Sequence, residues 1–254
     1  MIIRRIEHDL GNDRLLTVLL PEGYDGGDRE YPLLLCLDAQ WTLGTVSDTA
    51  LILGLARLVP RVIVAGLGWR CTEVRDIVVA RSYAYTPTAD TFPPEVVPPA
   101  DRVLVAGGGP AFLEDLADAV LPLLARTYRL APRGRTLIGH SLSGLFGLYT
   151  ASVRPALFDG YVLASPSVWW HDRVILSWLR ESRDVAGRLY VTMGEGERVI
   201  AGCAMIDTAH AAAALLGARN PGLVTRFDVL PGEIHQSTIA PSVTRGLRWV
   251  FGEG

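Results

Sequence analysis

The sequence has few of the features that mark several common classes of protein. Cysteine is scarce: only Cys36, Cys71 and Cys203 occur, far apart and odd in number. This usage favours reduced thiols in a reducing compartment over a disulfide framework. Basic runs, heptad repeats and internal repeats are also lacking. With a formal net charge of −3, the sequence gives no electrostatic basis for binding nucleic acid.

Segments that target a chain or anchor it in a membrane are likewise lacking. Residues 1–5 do not have the apolar stretch and cleavage site of a signal peptide, and no apolar run is long enough to span a bilayer. We therefore expect a cytoplasmic protein without membrane association. No His-Glu-x-x-His or related ligand spacing occurs, so we expect no catalytic metal and no other cofactor.

The sequence contains enough apolar residues to form the core of one large domain. It has 254 residues, of which 49% are hydrophobic. Short apolar runs, typical of strands buried on both faces, alternate with helical patterns. This α/β alternation predicts a mostly parallel sheet with helices on both faces. Strands are predicted at 15–20, 33–37, 61–67, 135–138, 161–164, 188–193 and 224–230, and helices at 50–58, 111–128, 145–151, 204–216 and 245–251.

Residues 68–109 do not follow this alternation. They give few periodic signals and include two tyrosines and five prolines. Because proline restricts the backbone, the composition favours an ordered wall or lid over a flexible linker. We predict a single domain over 1–254, with 69–108 as an active-site loop or lid insertion. The triple glycine at 107–109 lacks the rest of a phosphate-binding motif and is interpreted as a helix-entry turn.

The stretch 136–148 carries the clearest chemical signal. An apolar run ends at Gly139, Ser141 follows, and small residues lead into an apolar helical pattern. This order fits a nucleophile elbow, in which a sharp strand-to-helix turn exposes a serine. The usual pattern is Gly-x-Ser-x-Gly. Here Ser143 occupies the fifth position and Gly144 follows it, so the motif alone leaves an ordinary strand–helix junction open.

Candidate partners for this serine follow two later predicted strands. Glu195 and Glu197 come after strand 188–193, and His235 comes after strand 224–230. Serine, acid and histidine occur in this chain order in α/β-hydrolases, and the carboxyl ends of parallel strands meet at one edge of the sheet. His235 would take the proton of the serine, and a carboxylate would orient the imidazole. Either glutamate could be the acid, and we prefer Glu197.

Backbone N–H groups are needed to stabilise the oxyanion. We expect one from Leu142, directly after the nucleophile. The second is expected from Ala39 or Gln40, in a polar loop that should follow strand 33–37.

The four other histidines are weaker candidates. His140 adjoins the nucleophile but should point elsewhere on an elbow, and His210 should lie at the surface. His171, beside Trp169 and Trp170, is a weaker candidate for contact with substrate.

Taken together, these motifs resemble the esterase-D-like "putative esterase" family of α/β-hydrolases, most closely its enterobactin and bacillibactin (siderophore) esterase branch. The resemblance covers most of the chain, and its motifs are 31–38, Arg81 with 85–88, 107–113, 139–141, 164–170 and 231–235. It implies Ser141 as nucleophile and His235 as base. In relatives the acid stands a few residues past the glycine that closes the preceding strand, which favours Glu197. Some trilactone hydrolases of this branch are described as needing little help from an acid.

Two residues depart from the family pattern. Ser143 replaces the first glycine of Gly-His-Ser-x-Gly-Gly, and Gln236 stands where relatives tend to have glycine. Both adjoin catalytic positions, so they favour a specialised substrate, for example one from secondary metabolism. Our candidates for substrate binding are Arg81, Trp169, Trp170 and Gln236.

The predicted function is a serine esterase that cleaves a carboxylic ester or lactone, such as a siderophore-type macrolactone, through an acyl-enzyme. One alternative is an acyltransferase or cyclase that uses the same triad. Another is a ligand-binding homologue without catalysis. The only partner expected is a small-molecule substrate, and the sequence does not predict an oligomeric state.

Overall fold

A computed structural model describes residues 4–93, 104–199 and 204–252 of the chain. Within them, eight strands form one sheet in the order β1-β2-β4-β3-β5-β6-β7-β8. The pairs β1–β2 and β2–β4 are antiparallel, and every later pair is parallel. The strands are β1 (Arg4–Gly11), β2 (Arg14–Leu20), β3 (Leu33–Leu37), β4 (Ile63–Trp69), β5 (Thr136–His140), β6 (Gly160–Ala164), β7 (Gly187–Gly194) and β8 (Leu223–Leu230).

Helices cover the sheet, most of them in the connections between parallel strands. They are α1 (Ala39–Leu55), α2 (Val74–Ala84), α3 (Gly109–Asp115), α4 (Leu121–Thr127), α5 (Leu142–Val153), α6 (Trp170–Arg173), α7 (Ile175–Glu181), α8 (Met205–Arg219) and α9 (Ile239–Phe251). A π-helical turn, Leu116–Val120, joins α3 to α4. The predicted helix at 111–128 is therefore confirmed, with an irregularity in its middle. In the described part of the chain, no helix is long and apolar enough to cross a membrane.

The central strands are buried on both faces, as their apolar runs predicted. Because side chains alternate along a strand, Leu35 packs into the core cluster that includes α5, while Leu34 and Cys36 pack with α1 and α9. Burial raises the pKa of the Cys36 thiol to about 12, so this cysteine is a small core residue. The predicted doubly covered α/β sheet is confirmed.

The start of α1 differs from the prediction made from the sequence. A polar loop was expected after β3 and a helix only at 50–58, but the helix runs from Ala39 to Leu55. Asp38 is the single residue between β3 and α1, and its left-handed φ of 55° turns the chain from the strand into the helix. Gln40 and Trp41 are exposed on the first helical turn, which explains why the segment looks like a loop in the sequence.

The segment 68–109 also differs from its prediction, because it contains α2. This helix buries few residues, and Arg81 and Ser82 are among them. The apolar periodicity that usually indicates a helix is therefore weak here. Residues 94–103 of the segment 68–109 lie outside the described part of the chain. The role of 69–108 as an active-site loop or lid therefore stays a prediction. The edge strand β1, whose residues are exposed or half-buried, was also not predicted from the sequence.

Candidate active site

Ser141 occupies the sharp turn between β5 and α5. Its φ of 61° and ψ of −119° lie in a region that non-glycine residues rarely adopt. The turn is held by the Ser141 N–H, which donates to the Ala164 carbonyl oxygen at 3.0 Å. A Cβ atom at Gly139 would overlap the Ser143 carbonyl oxygen, so this approach of strand and helix requires glycine. These features are those of a nucleophile elbow.

The Ser141 hydroxyl lies 3.3 Å from the Ser167 hydroxyl, and either oxygen could donate. The Ser167 N–H also donates to the Ser141 carbonyl oxygen, at 3.1 Å. In the described part of the chain, Ser141 Oγ makes no hydrogen bond to the His235 ring. Catalytic hydrogen bonds are often long before substrate binds, so this geometry is compatible with a serine–histidine pair.

The His235 ring is anchored by a buried carboxylate. Its Nδ1 lies 2.6 Å from Glu197 Oε2, and the Glu197 side chain is 1% exposed. The other carboxylate oxygen accepts hydrogen bonds from Ser165 Oγ at 2.6 Å and from the Gly194 N–H at 2.7 Å. Burial alone would raise the pKa of Glu197, but these bonds outweigh it and the pKa is lowered. Glu197 therefore stays ionised beside the imidazole.

Glu195 lies in a different environment. Its carboxylate accepts a hydrogen bond from the Gly232 N–H at 3.1 Å, at an exposed position on the loop before His235. Of the two glutamates that follow β7, the structure thus brings Glu197 to the His235 ring.

His140 does not point away from the site, as the sequence analysis expected. Its Nε2 lies 2.7 Å from the His235 carbonyl oxygen, and the two imidazole rings are 4.7 Å apart. A carbonyl oxygen can only accept, so Nε2 carries the proton. Burial and the neighbouring His235 lower the pKa of His140 to about 4. A neutral His140 thus holds the backbone that carries His235.

The N–H groups predicted to form the oxyanion hole begin two helices. Leu142 is the first residue of α5, while Ala39 and Gln40 are the first two of α1. The opening N–H groups of a helix have no partner within it. Within the described residues, none of these three N–H groups has a hydrogen-bond acceptor. Their donation to an oxyanion stays a prediction.

Comparison with known proteins identifies the family to which this chain belongs. The model of the family described as "Putative esterase" matches residues 8–214, which is most of the chain. The chain belongs to this esterase family. The residues that carry the elbow and Glu197 lie inside the match, whereas His235 lies beyond it.

Several relatives of this chain are siderophore esterases by name. The "Ferri-bacillibactin esterase BesA" of Bacillus subtilis is 27% identical over 231 residues, covering 87% of this chain and 79% of that protein. The "Siderophore enterobactin esterase" of Emericella nidulans is 36% identical over 135 residues, covering 51% of this chain and 38% of that protein. The aligned part thus spans well under half of the fungal relative.

A solved structure supports the fold. The "BES protein" from Bacillus cereus superposes with a TM-score of 0.82 at 22% identity, covering 98% of this chain and 96% of that one. This likeness, with the strand order and the elbow, shows an α/β-hydrolase fold.

Two of the predicted substrate-binding residues are buried in this structure. Arg81 is buried, and its Nε and Nη2 donate to the two carboxylate oxygens of Asp38 at 2.8 and 2.9 Å. Trp170 is fully buried, and its Nε1 donates to Thr88 Oγ1 at 3.1 Å. Both side chains thus make structural contacts within the protein, and their predicted contacts with substrate stay predictions.

The other two candidates remain accessible. Trp169 is half-buried and Gln236 is exposed, so their substrate contacts stay predictions. His171 is exposed, and its Nδ1 lies 2.8 Å from the same Thr88 hydroxyl. It opens three successive residues with left-handed φ values of 45°, 48° and 64°. Such strain persists only where the surrounding structure fixes it.

Asp38, Ser165 and Thr238 support the site but were not predicted from the sequence. Ser165 Oγ lies 2.9 Å from Thr238 Oγ1, which in turn lies 3.0 Å from the His235 carbonyl oxygen. Ser165 and Asp38 directly follow strands β6 and β3, at the sheet edge where the site lies. Their positions alone could therefore have indicated a role in the site. No local pattern indicated Thr238.

Proposed function

We propose that this protein is a serine carboxylester hydrolase that works through an acyl-enzyme on Ser141. The observation that carries the proposal is the 2.6 Å contact between His235 Nδ1 and the buried Glu197 carboxylate, at the same sheet edge as a strained serine elbow. A buried carboxylate on Nδ1 leaves Nε2 free to exchange protons with the nucleophile and the leaving group. Membership of an esterase family supports the same chemistry.

The reaction follows from these roles. Ser141 Oγ attacks the ester carbonyl carbon while His235 Nε2 takes the hydroxyl proton. The resulting oxyanion accepts hydrogen bonds from the N–H of Leu142 and from that of Ala39 or Gln40. The bond to the alcohol oxygen then breaks, and His235 gives its proton to that oxygen. Water then attacks the acyl carbon while His235 Nε2 takes its proton. The bond from the acyl carbon to Ser141 Oγ breaks, His235 returns the proton to Oγ, and the carboxylic acid leaves.

We infer that the substrate is an ester or lactone of the siderophore type. The supporting evidence is the names of the relatives, which are esterases of enterobactin and ferri-bacillibactin. No described cluster of His, Cys, Asp or Glu has the grouping of a metal site. The name of the Bacillus subtilis relative, a ferri-bacillibactin esterase, supports iron as a part of the substrate.

The test compares a cyclic catecholate trilactone, iron-free and iron-loaded, with simple p-nitrophenyl acyl esters. We expect linear hydroxy acids to be released from the trilactone with the higher kcat/KM. Ser141→Ala should lower kcat by about 10³-fold or more, because the nucleophile is lost. Ser182→Ala removes a buried hydroxyl far from the site and is the matched control. Full trilactone hydrolysis by Ser141→Ala would contradict the mechanism, and activity on simple esters alone would contradict the substrate.

A further inference from the structure

We infer that Ser143 is a positioning residue: through the buried Asp38 carboxylate, its hydroxyl sets the distance between the two backbone segments that stabilise the oxyanion. This inference rests on the proposed serine hydrolase mechanism and assigns a role to a residue at which the usual elbow motif has glycine.

The first observation is the geometry of the Ser143 hydroxyl. The residue is fully buried, and its Oγ accepts a hydrogen bond from the His140 N–H at 2.8 Å. Its single proton can go to Asp38 Oδ2 at 2.7 Å or to the His140 carbonyl oxygen at 2.9 Å. The carboxylate is the closer and the charged acceptor, so it is favoured. The hydroxyl therefore ties the elbow to the turn after β3.

The second observation is that Asp38 is itself held rigidly. It is 2% exposed, and its side chain forms a two-pronged ion pair with Arg81 of α2. Its N–H donates to the Tyr85 hydroxyl at 3.2 Å. The Arg81 guanidinium also lies over the rings of Trp41 and Tyr85, at 5.3 and 5.8 Å. A planar guanidinium fixed in this way sets the orientation of the carboxylate.

The third observation is where the two ends of this contact lie. Ser143 directly follows Leu142, whose N–H is one predicted oxyanion donor. Asp38 directly precedes Ala39, whose N–H is a candidate for the other. The 2.7 Å bond thus joins the residues next to both donors and links the starts of α1 and α5. Small displacements of such donors cost rate, because their hydrogen bonds are aimed at the transition state.

The test uses Ser143→Ala, which removes the hydroxyl, and Ser143→Gly, which restores the residue usual in the motif. Each variant is assayed for kcat, KM and inhibition by a trifluoromethyl ketone, whose adduct with serine imitates the tetrahedral intermediate. We expect kcat to fall about 10- to 100-fold with KM within threefold. The affinity for the ketone should fall by the same factor as kcat/KM, which loss of stability alone would not produce.

Ser182→Ala is the matched control, because Ser182 is also a buried hydroxyl with two hydrogen bonds, to the Leu179 carbonyl oxygen and from Asn220. It should lose stability but keep kcat and ketone affinity. If both Ser143 variants behave like this control while Ser141→Ala is inactive, the positioning role is overturned and the serine mechanism stands. If Ser141→Ala keeps its activity, the mechanism fails and the role of Ser143 with it. If Ser143→Ala does not fold, Ser143→Gly decides alone.

Discussion

At the scale of single residues, the environment of a side chain decides which of two similar groups carries chemistry. Glu195 and Glu197 are two positions apart and follow the same strand, yet one carboxylate is exposed and the other is buried against His235. The sequence supports a preference between them but cannot establish it, because the difference arises from contacts with Ser165 and His235, which are distant along the chain.

The first prediction compares these two glutamates. Glu197→Gln should lower kcat by on the order of 10²- to 10⁴-fold, because a neutral amide cannot stabilise the imidazolium and can favour the wrong tautomer. Glu195→Gln should stay within about twofold of wild type and is the matched control. Steady-state kinetics on an activated ester measure both. Equal losses in the two variants, or none in either, would contradict the role of Glu197.

A second prediction concerns pH and His140. Its pKa is about 4 in the folded protein against an ordinary 6.5. Between these values the unfolded chain binds a proton at this residue and the folded protein does not. Stability is therefore fully present above about pH 6.5 and is lost as the pH falls towards 4, by about 3 kcal/mol.

His140→Gln should flatten this part of the stability curve, because the glutamine amide does not titrate yet can still donate to the His235 carbonyl oxygen. Urea unfolding at pH values from 4 to 8 gives the curves. His210→Gln, at an exposed position, is the control and should follow wild type. Parallel curves for wild type and His140→Gln would show that His140 is not held neutral.

At the scale of elements, the elbow depends on how closely β5 approaches α5. The alternation of apolar runs and Gly139 were sufficient to predict a strand-to-helix turn here, because both are local features, but they did not by themselves distinguish a nucleophile elbow from an ordinary junction. The start of α1 could not be predicted in the same way. Its turn is made by one left-handed aspartate, held by Arg81 from a different helix. The Ser143–Asp38–Arg81 contacts likewise connect three elements that no local pattern links.

A third prediction tests the elbow packing. Gly139→Ala should lower the free energy of unfolding by about 2 kcal/mol or more and abolish activity, because the new Cβ would overlap the Ser143 carbonyl oxygen. Gly44→Ala, on an exposed face of α1 with open space around its Cβ position, is the control. It should be neutral or raise stability by up to about 1 kcal/mol. Chemical denaturation measures both, and equal effects would contradict the packing account.

At the scale of the whole molecule, a covered sheet places the carboxyl ends of its parallel strands at one edge. Ser141 follows β5, Glu197 follows β7 and His235 follows β8, so residues up to 94 positions apart converge there. This convergence was predictable, because it needs only the strand alternation and the chain order of three residue types. The sequence could not give the antiparallel edge strand β1 or the helix α2, whose half-buried patterns resemble those of loops.

The most direct test of the serine mechanism is to map the site of a covalent fluorophosphonate label by peptide mass spectrometry. The Ser167 hydroxyl, 3.3 Å from Ser141 Oγ, is the nearest competitor and makes the assignment informative. We expect one label per folded chain, on the peptide with Ser141. It should vanish in Ser141→Ala and form much more slowly in His235→Ala. A label on Ser167, or a folded protein that takes no label, would contradict the mechanism.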